Sequence, residues 1–244
     1  MSRDPAGAGP QPVPSDPSGL PESVPTEVVE LSDGDAFGLR IAPVAKRLGD
    51  QTVRMLAYNG SIPGPTLRVP EGSEIVVEIV NDDDMETTVH WHGLRLDYRS
   101  DGTHETQDPI PVQEMGLYGN VVNRLTTPAN MRWKLVDRAT GAENAQIDWR
   151  LRVGDRVKIR LVNEMDSDHP MHHPFHVHGA GRFLVLSRDG VAEPNLVWSD
   201  TVLVRTGQTV DILLDVTNPG LWMAHCHIAE HHESGMMLTF TVEP

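Results

Sequence analysis

Cysteine is nearly absent: Cys226 is the single one in 244 residues, so the chain forms no internal disulfide. Cysteine usage therefore reports nothing about its compartment. Aromatic residues are scarce at 5%, whereas 19 prolines and 21 glycines punctuate the chain. That balance argues against long helices and for many turns, hence β-structure. Basic side chains are few, 20 against 35 acidic ones, and the formal net charge is -15. Phosphate backbones would repel such a chain, which argues against a nucleic-acid partner. No apolar run approaches ~18 residues, so neither a transmembrane helix nor a membrane partner is expected. The opening stretch MSRDPAGAGPQPVPSDPSGLPESVP has no apolar core and, as it stands, is no signal peptide. Its Pro, Gly, Ser and acidic residues read as a disordered lead-in over residues 1–25.

What is present is alternation. In RVKIRLV, Val157, Ile159 and Leu161 alternate with Arg156, Lys158 and Arg160, and in TVDILLDV, Val210, Ile212 and Leu214 share a face. In VVEIV, Val77 and Ile79 oppose Val76 and Glu78. Period two over such runs, bounded by Gly, Pro and Asn, predicts β-strands. The pattern also repeats. VPEGSEIVVEIVND (69–82) is similar to LRVGDRVKIRLVNE (151–164), and a polar loop follows each. Each loop leads to a histidine pair and a glycine, HWHG (90–93) and HVHG (176–179). Two copies of one β-domain are therefore expected. EMGLYGNVV (114–122) then matches ESGMMLTFTV (233–242), but Gly93 to Gly116 is far shorter than Gly179 to Gly235. The first copy lacks what in the second holds a strand and the motif HCH.

Six of the 12 histidines lie in three His-x-His pairs: His90/His92, His176/His178 and His225/His227. On a strand, residues i and i+2 share a face, so each pair would present two imidazoles together. Trp91 and Val177 would then face a core, and Cys226 a second site back to back with the first. One such pair also fits a satisfied core histidine or plain surface chemistry. Three pairs, two at matched positions of a repeat and one around the sole cysteine, point to metal. Thiolate with imidazole suits copper or zinc. Cys226, His231 and Met236 supply sulfur, nitrogen and thioether, and His173 a second nitrogen. Met236 alone would read as core filler. Two His and one Cys with a weak axial Met is the blue-copper electron-transfer set, and structural zinc usually recruits more cysteines.

HWHG, HPFHVHG and HCHIAEHHESGMM resemble three of the four copper motifs of the multicopper oxidases, the family of laccases, and NGSIPGPTLRV (59–69) resembles their entry segment. The resemblance covers most of residues 26–244. It implies an all-β fold of two cupredoxin-like Greek-key β-sandwich domains, the first truncated. Residues 26–123 would form the shortened N-terminal domain, and 124–244 a linker and complete C-terminal domain with the type 1 copper site. The implied reaction is laccase-like: one-electron oxidation of phenol-type reductants, with dioxygen reduced to water. The implied cofactor is copper. His173, Cys226, His231 and Met236 would hold the type 1 copper, and His90 and His176 the type 2. His92 with His227, and His178 with His225, would serve the two type 3 coppers. Asp101 in SDGT resembles the family's acidic residue that helps deliver protons to reduced oxygen, and reads equally as a turn residue before Gly102.

The chain departs from the family pattern in three places. The fourth His-x-His motif is missing, and it would belong between Gln113 and Glu114. The middle domain of larger relatives has no counterpart, and His232 stands where many bacterial relatives carry an acid. Of the histidines left over, His104, His169, His172 and His232, His104 is a candidate to replace a lost ligand, although a loop histidine reads first as solvated. A neighbouring chain is another replacement, so a homo-oligomer such as a trimer is expected. Met165, Met171 and Met237 read as packing rather than as a soft Cu(I) site. Asn59-Gly60-Ser61 fits a glycosylation sequon or a tight turn, and Asp82 to Asp84 a solvated loop. The alternative function is a type 1 copper electron carrier with an incomplete trinuclear cluster. A two-domain nitrite reductase is disfavoured, because its cysteine is not flanked by a type 3 histidine pair. Relatives are often periplasmic or secreted, but no signal here fixes the compartment.

Overall fold

The computed structural model describes residues 16–83, 87–102, 132–164, 171–228, 231–232 and 234–244. The chain divides into two compact units, one ending at Glu86 and one starting at Thr87. Strands dominate both. No helix among the described residues is long and apolar enough to cross a membrane.

The first unit holds β1 (Val28–Glu30), β2 (Ala36–Leu48), β3 (Gln51–Tyr58), β4 (Thr66–Arg68) and β5 (Val76–Asn81). β2 pairs antiparallel with β3 through a two-residue turn, and parallel with β5; β1 and β4 form a separate parallel pair. Gly49 takes φ 61 in that turn, which suits a tight hairpin. Leu39, Ile41, Val44, Ala45 and Ala57 are buried. The alternation in VVEIV gives the strand but not the burial: Val76, Ile79 and Val80 stay exposed on β5, which among the described residues is an edge strand paired only with β2. Part of the expected lead-in over residues 1–25 is paired. Ser23 donates to the Ala45 carbonyl, Val24 to that of Gly60, and Ala45 back to that of Pro21. Two isolated backbone bridges, Glu22 with Ala45 and Val24 with Ser61, outweigh the Pro-rich composition there.

The second unit holds β6 (Arg150–Arg152), β7 (Arg156–Val162), β8 (His173–Val177), β9 (Gly181–Arg188), β10 (Val191–Ala192), β11 (Trp198–Ser199), β12 (Thr201–Val204), β13 (Thr209–Val216), β14 (Gly220–Cys226) and β15 (Met237–Glu243). One sheet runs β10-β9-β13-β7 with β11 against β9; the other runs β12-β8-β14-β15-β6. They close a sandwich over one core. Val210, Ile212, Leu214 and Phe183 come from the first sheet, and Val177, Trp222, Leu238 and Phe240 from the second. The alternation read in RVKIRLV and TVDILLDV is the alternation seen, with Val157, Ile159 and Leu161 packed inward.

The expected boundary at 123/124 lies outside the described residues. Residues 87–102 were expected in the first domain, but they cluster with the second unit. Specific contacts hold them there. Asn218 Nδ2 donates to the Leu96 carbonyl at 2.9 Å, Arg182 to that of Gly93 at 2.7 Å, and Tyr98 packs edge-on against Trp222.

Candidate metal centre

Strand pairing decides which histidines meet. β14 lies beside β8 with Ala224 opposite Val177, His225 opposite His176 and Cys226 opposite Phe175. Opposite residues share a face, so His225 and His176 stand together on one side of the sheet. Cys226 is on the other side with Phe175, and so with His173 two residues earlier. Two sites arise back to back across one strand. His178 and His227 fall one residue beyond their strands and still reach the His225 side. His90 and His92, expected on a strand, lie in none: the chain turns at His92 and at Gly93, whose φ is 74. Trp91 is accordingly half-buried rather than in a core.

On the thiol side, Cys226 Sγ is 3.5 Å from Nδ1 of both His173 and His231, and those two nitrogens are 3.2 Å apart. Met236 is buried in the same small cluster, which Trp133 completes. The Trp133 ring stacks on His231 with centroids 3.9 Å apart and lies edge-on to His173. Burial pushes the Cys226 thiol up to about 12. Burial, aided by His172, pulls His173 down to about 4. The metal-free site is thus a neutral imidazole beside a protonated thiol, and metal binding must release the thiol proton.

On the other side, six imidazoles converge in three facing pairs. His178 and His225 bring their Nε2 atoms to 2.9 Å, His92 and His227 to 2.9 Å, and His90 and His176 to 3.4 Å. The outer Nδ1 atoms meet acceptors. His178 Nδ1 is 2.7 Å from Asp101 Oδ2, His90 Nδ1 is 2.6 Å from the Asp101 carbonyl, and His225 Nδ1 is 2.9 Å from the Cys226 carbonyl. His176 Nδ1 lies 3.1 Å from the Asp200 carbonyl. Carbonyls and ionised carboxylates only accept, so these rings carry their proton on Nδ1. Burial pulls His178 down to about 4 and His225 to about 2, so both rings are neutral at neutral pH. His178 and His225 then face each other with two lone pairs at 2.9 Å. That contact is repulsive unless a cation lies between, and neutral imidazole is a ligand for copper and zinc. The donor sets on both sides therefore fit a metal.

Asp101 is 1% exposed and caps the 3-10 turn Tyr98–Ser100, so it is a turn residue that also reaches the cluster. Burial opposes its ionisation, but hydrogen bonds from His178 and His90 outweigh that and hold the carboxyl below its usual range. Gly102 follows with φ 82, and a Cβ there would meet the Val89 carbonyl at 2.6 Å and His90 Cα at 3.2 Å. Gly102→Ala should cost about 1–2 kcal/mol from the left-handed backbone alone. It should also displace His90, and urea unfolding together with metal retention would show both effects.

The multicopper oxidase family pattern matches this chain twice, over residues 42–127 and over residues 114–244, the second match exceeding half the chain. The chain belongs to the multicopper oxidase family. A multicopper oxidase of Staphylococcus epidermidis is 37% identical over 94 residues, covering 38% of this chain and 21% of that protein. The multicopper oxidase MmcO of Mycobacterium tuberculosis is 37% identical over 86 residues, covering 35% of this chain and 16% of its own. These matches span about a fifth of the curated relatives' length. The fold is similar to that of a multi-copper oxidase from Pediococcus acidilactici, with TM-score 0.60 and 16% identity over 98% of this chain and 95% of that one. A multicopper oxidase from Campylobacter jejuni gives TM-score 0.55 at 13% identity, covering 94% and 97%. Both place the chain among all-β cupredoxin-like folds. Family membership implies copper as the metal.

In this member of the multicopper oxidase family the structure brings together the residues that the sequence motifs group on each side of Cys226, apart from the Met236 thioether, which is placed only by its cluster. His104, His169, Met165 and the junction of Gln113 with Glu114 lie outside the described residues. His172 is exposed and accepts from the Thr206 amide. His232 is buried, its ring 4.9 Å from that of His225. Sequence reasoning missed Trp133, Asp200 and Thr201, which no motif spacing flags.

The buried histidines also set a pH dependence. His173, His178 and His225 bind protons less readily folded than unfolded, where a histidine titrates near about 6.5. As pH falls from 7 to 5 the unfolded chain takes up more protons. Stability of the metal-free protein should therefore fall, by up to about 1.4 kcal/mol per pH unit for each such histidine. Urea midpoints at three pH values would measure it; a flat profile would contradict the burial.

Proposed function

We propose that this chain is a laccase-like oxidase. It takes single electrons from phenol-type reductants at the Cys226 group and delivers them to dioxygen, which leaves as water, at the histidine cluster. The observation that carries this reading is the shared end of β14, where Cys226 serves one face and His225 the other. Copper, when bound, supplies the one-electron chemistry on both sides. Cys226, His173 and His231 would hold the type 1 copper, with Met236 as the weak fourth ligand. His90 and His176 would hold the type 2, and the pairs His92/His227 and His178/His225 the type 3. The peptide linking Cys226 to its neighbours gives a covalent path for electrons between the two sides. Dioxygen takes up as many protons as electrons on its way to water. Asp101 would serve that need: Oδ2 accepts from His178 Nδ1, and Oδ1, buried and 3.4 Å from His90 Nδ1, would accept a proton and pass it on. Oxygen uptake by the copper-loaded protein with a phenolic donor is the test, and no uptake with any donor sinks the reading.

A second reading has its own support. The sequence lacks the fourth His-x-His motif, so an electron carrier with one copper is the alternative. Copper per chain after anaerobic loading separates the two: roughly four for the oxidase, roughly one for the carrier. The homo-oligomer implied by the resemblance belongs to the first reading, in which a neighbouring chain completes the ligand set.

A further inference from the structure

His92 and His176 come from different motifs, yet one residue addresses the outer edge of both. Asp200 immediately precedes β12. Its carboxylate Oδ2 is 3.4 Å from His92 Nδ1, and its backbone carbonyl is 3.1 Å from His176 Nδ1. Its Oδ1 accepts from Thr201 Oγ1 at 2.9 Å, and that hydroxyl lies 3.0 Å from His176 Nδ1. The hydroxyl spends its one proton on Asp200, so toward His176 it only accepts. His176 is therefore held as the Nδ1–H form from two directions. Strand pairing builds this in, since Thr201 stands opposite His176. The turn after His92 is fixed from the same side, where Arg182 donates to the Gly93 carbonyl at 2.7 Å.

We propose that Asp200 is a positioning residue of the histidine cluster and the counterpart of Asp101. Asp101 orients His90 and His178; Asp200 orients His92 and His176. Each aspartate thus takes one histidine from HWHG and one from HVHG, which locks the two motifs to each other. The physical need is specific. A ligating imidazole must present an unprotonated nitrogen, and a carboxylate on the opposite ring nitrogen fixes that tautomer and ring angle. His92 is an exposed member of the set, with its side chain 40% accessible, and the Asp200 carboxylate lies against its outer edge. A carboxylate that instead ligated metal directly would need those Nδ1 atoms free of protons, which the Thr201 bond to His176 opposes.

The proposal rests on the cluster reading above, and its first test needs no metal. Two-bond nitrogen-15 correlation spectra of the metal-free full chain, labelled at histidine, report which ring nitrogen carries the proton. His92 and His176 are expected as Nδ1–H. Asp200→Ala should move His92 toward Nε2–H while leaving His178, held by Asp101, unchanged. His92 found as Nε2–H in the unsubstituted chain, or unaltered by Asp200→Ala, overturns the proposal. Copper loading supplies the second arm. Asp200→Ala should weaken cluster copper by about 10–100-fold and leave the visible band of the Cys226 site intact. Asp200→Asn keeps an acceptor of nearly the same shape and should retain most of that copper. Loss as complete as in the alanine variant would mean that the carboxylate is itself a ligand, and would overturn the positioning role. Absence of oxygen uptake by the loaded wild type would remove the oxidase reading, while the tautomer result would stand.

Discussion

Cys226→Ser should abolish the visible absorption of the copper-loaded protein and remove one copper per chain, roughly. Serine fills nearly the same space, so the sandwich should stay folded. Cys226 sits beside the end of a core already closed by Trp222, Ala224 and Phe175. The histidine cluster lies on the opposite face of β14 and should keep its copper. Donor oxidation should fall by at least about 100-fold, because even partners that only orient ligands are worth 10–100-fold. The separation of the two effects is the informative part. Lost donor oxidation with cluster copper retained would match electrons that enter at the thiol and leave at the imidazoles. Survival of the visible band in the serine variant would mean that the thiol is not a ligand.

Asp101 should give the second large effect, and its two substitutions should differ. Asp101→Asn keeps a carbonyl oxygen that can accept the His178 Nδ1 proton, and leaves untouched the backbone carbonyl that holds His90. Copper should be retained, while kcat falls about 100-fold through loss of the proton acceptor. Asp101→Ala removes the acceptor entirely and leaves His178 free to change tautomer, so cluster copper should fall too. The pH profile adds a sign. The wild-type carboxyl is held below its usual range, so it remains ionised through mildly acidic pH. Activity that depends on it should decline only on further acidification, and the asparagine variant should lack that limb. Equal copper and equal turnover in Asp101→Asn and the wild type would reduce Asp101 to a turn residue.

Much of this was legible in the residues, for a physical reason: side-chain parity along a strand does not depend on the rest of the fold. The alternation of Val157, Ile159 and Leu161 against three cations could satisfy only a half-buried strand, and β7 is that strand. The flanking of Cys226 by two histidines fixed opposite directions for sulfur and nitrogen before any partner was known. The rest depended on long-range packing. HWHG has the period of a strand, but it runs into the turn at Gly93, and its two histidines reach the cluster without a ladder. Residues 87–102 belong with the second unit because Asn218, Arg182 and Trp222 hold them, and those partners lie far away in sequence. Asp200 and Trp133 are single residues in ordinary contexts. Asp200 matters through its pairing partner His176, and Trp133 through a ring stack, neither of which leaves a spacing to detect.

The join between β8 and β14 also dictates which changes of length the chain can absorb. Inserting or deleting one residue between Ala224 and His227 would swap inside for outside, sending the thiol among the imidazoles and a histidine into the apolar layer. A two-residue change would restore the facing but slide His225 away from His176, its cross-strand neighbour. Neither leaves both sites whole, so this stretch should accept substitutions far more readily than changes of length. A hairpin tip that carries no ligand of either site, such as Gly190 between β9 and β10, is where added residues should be borne.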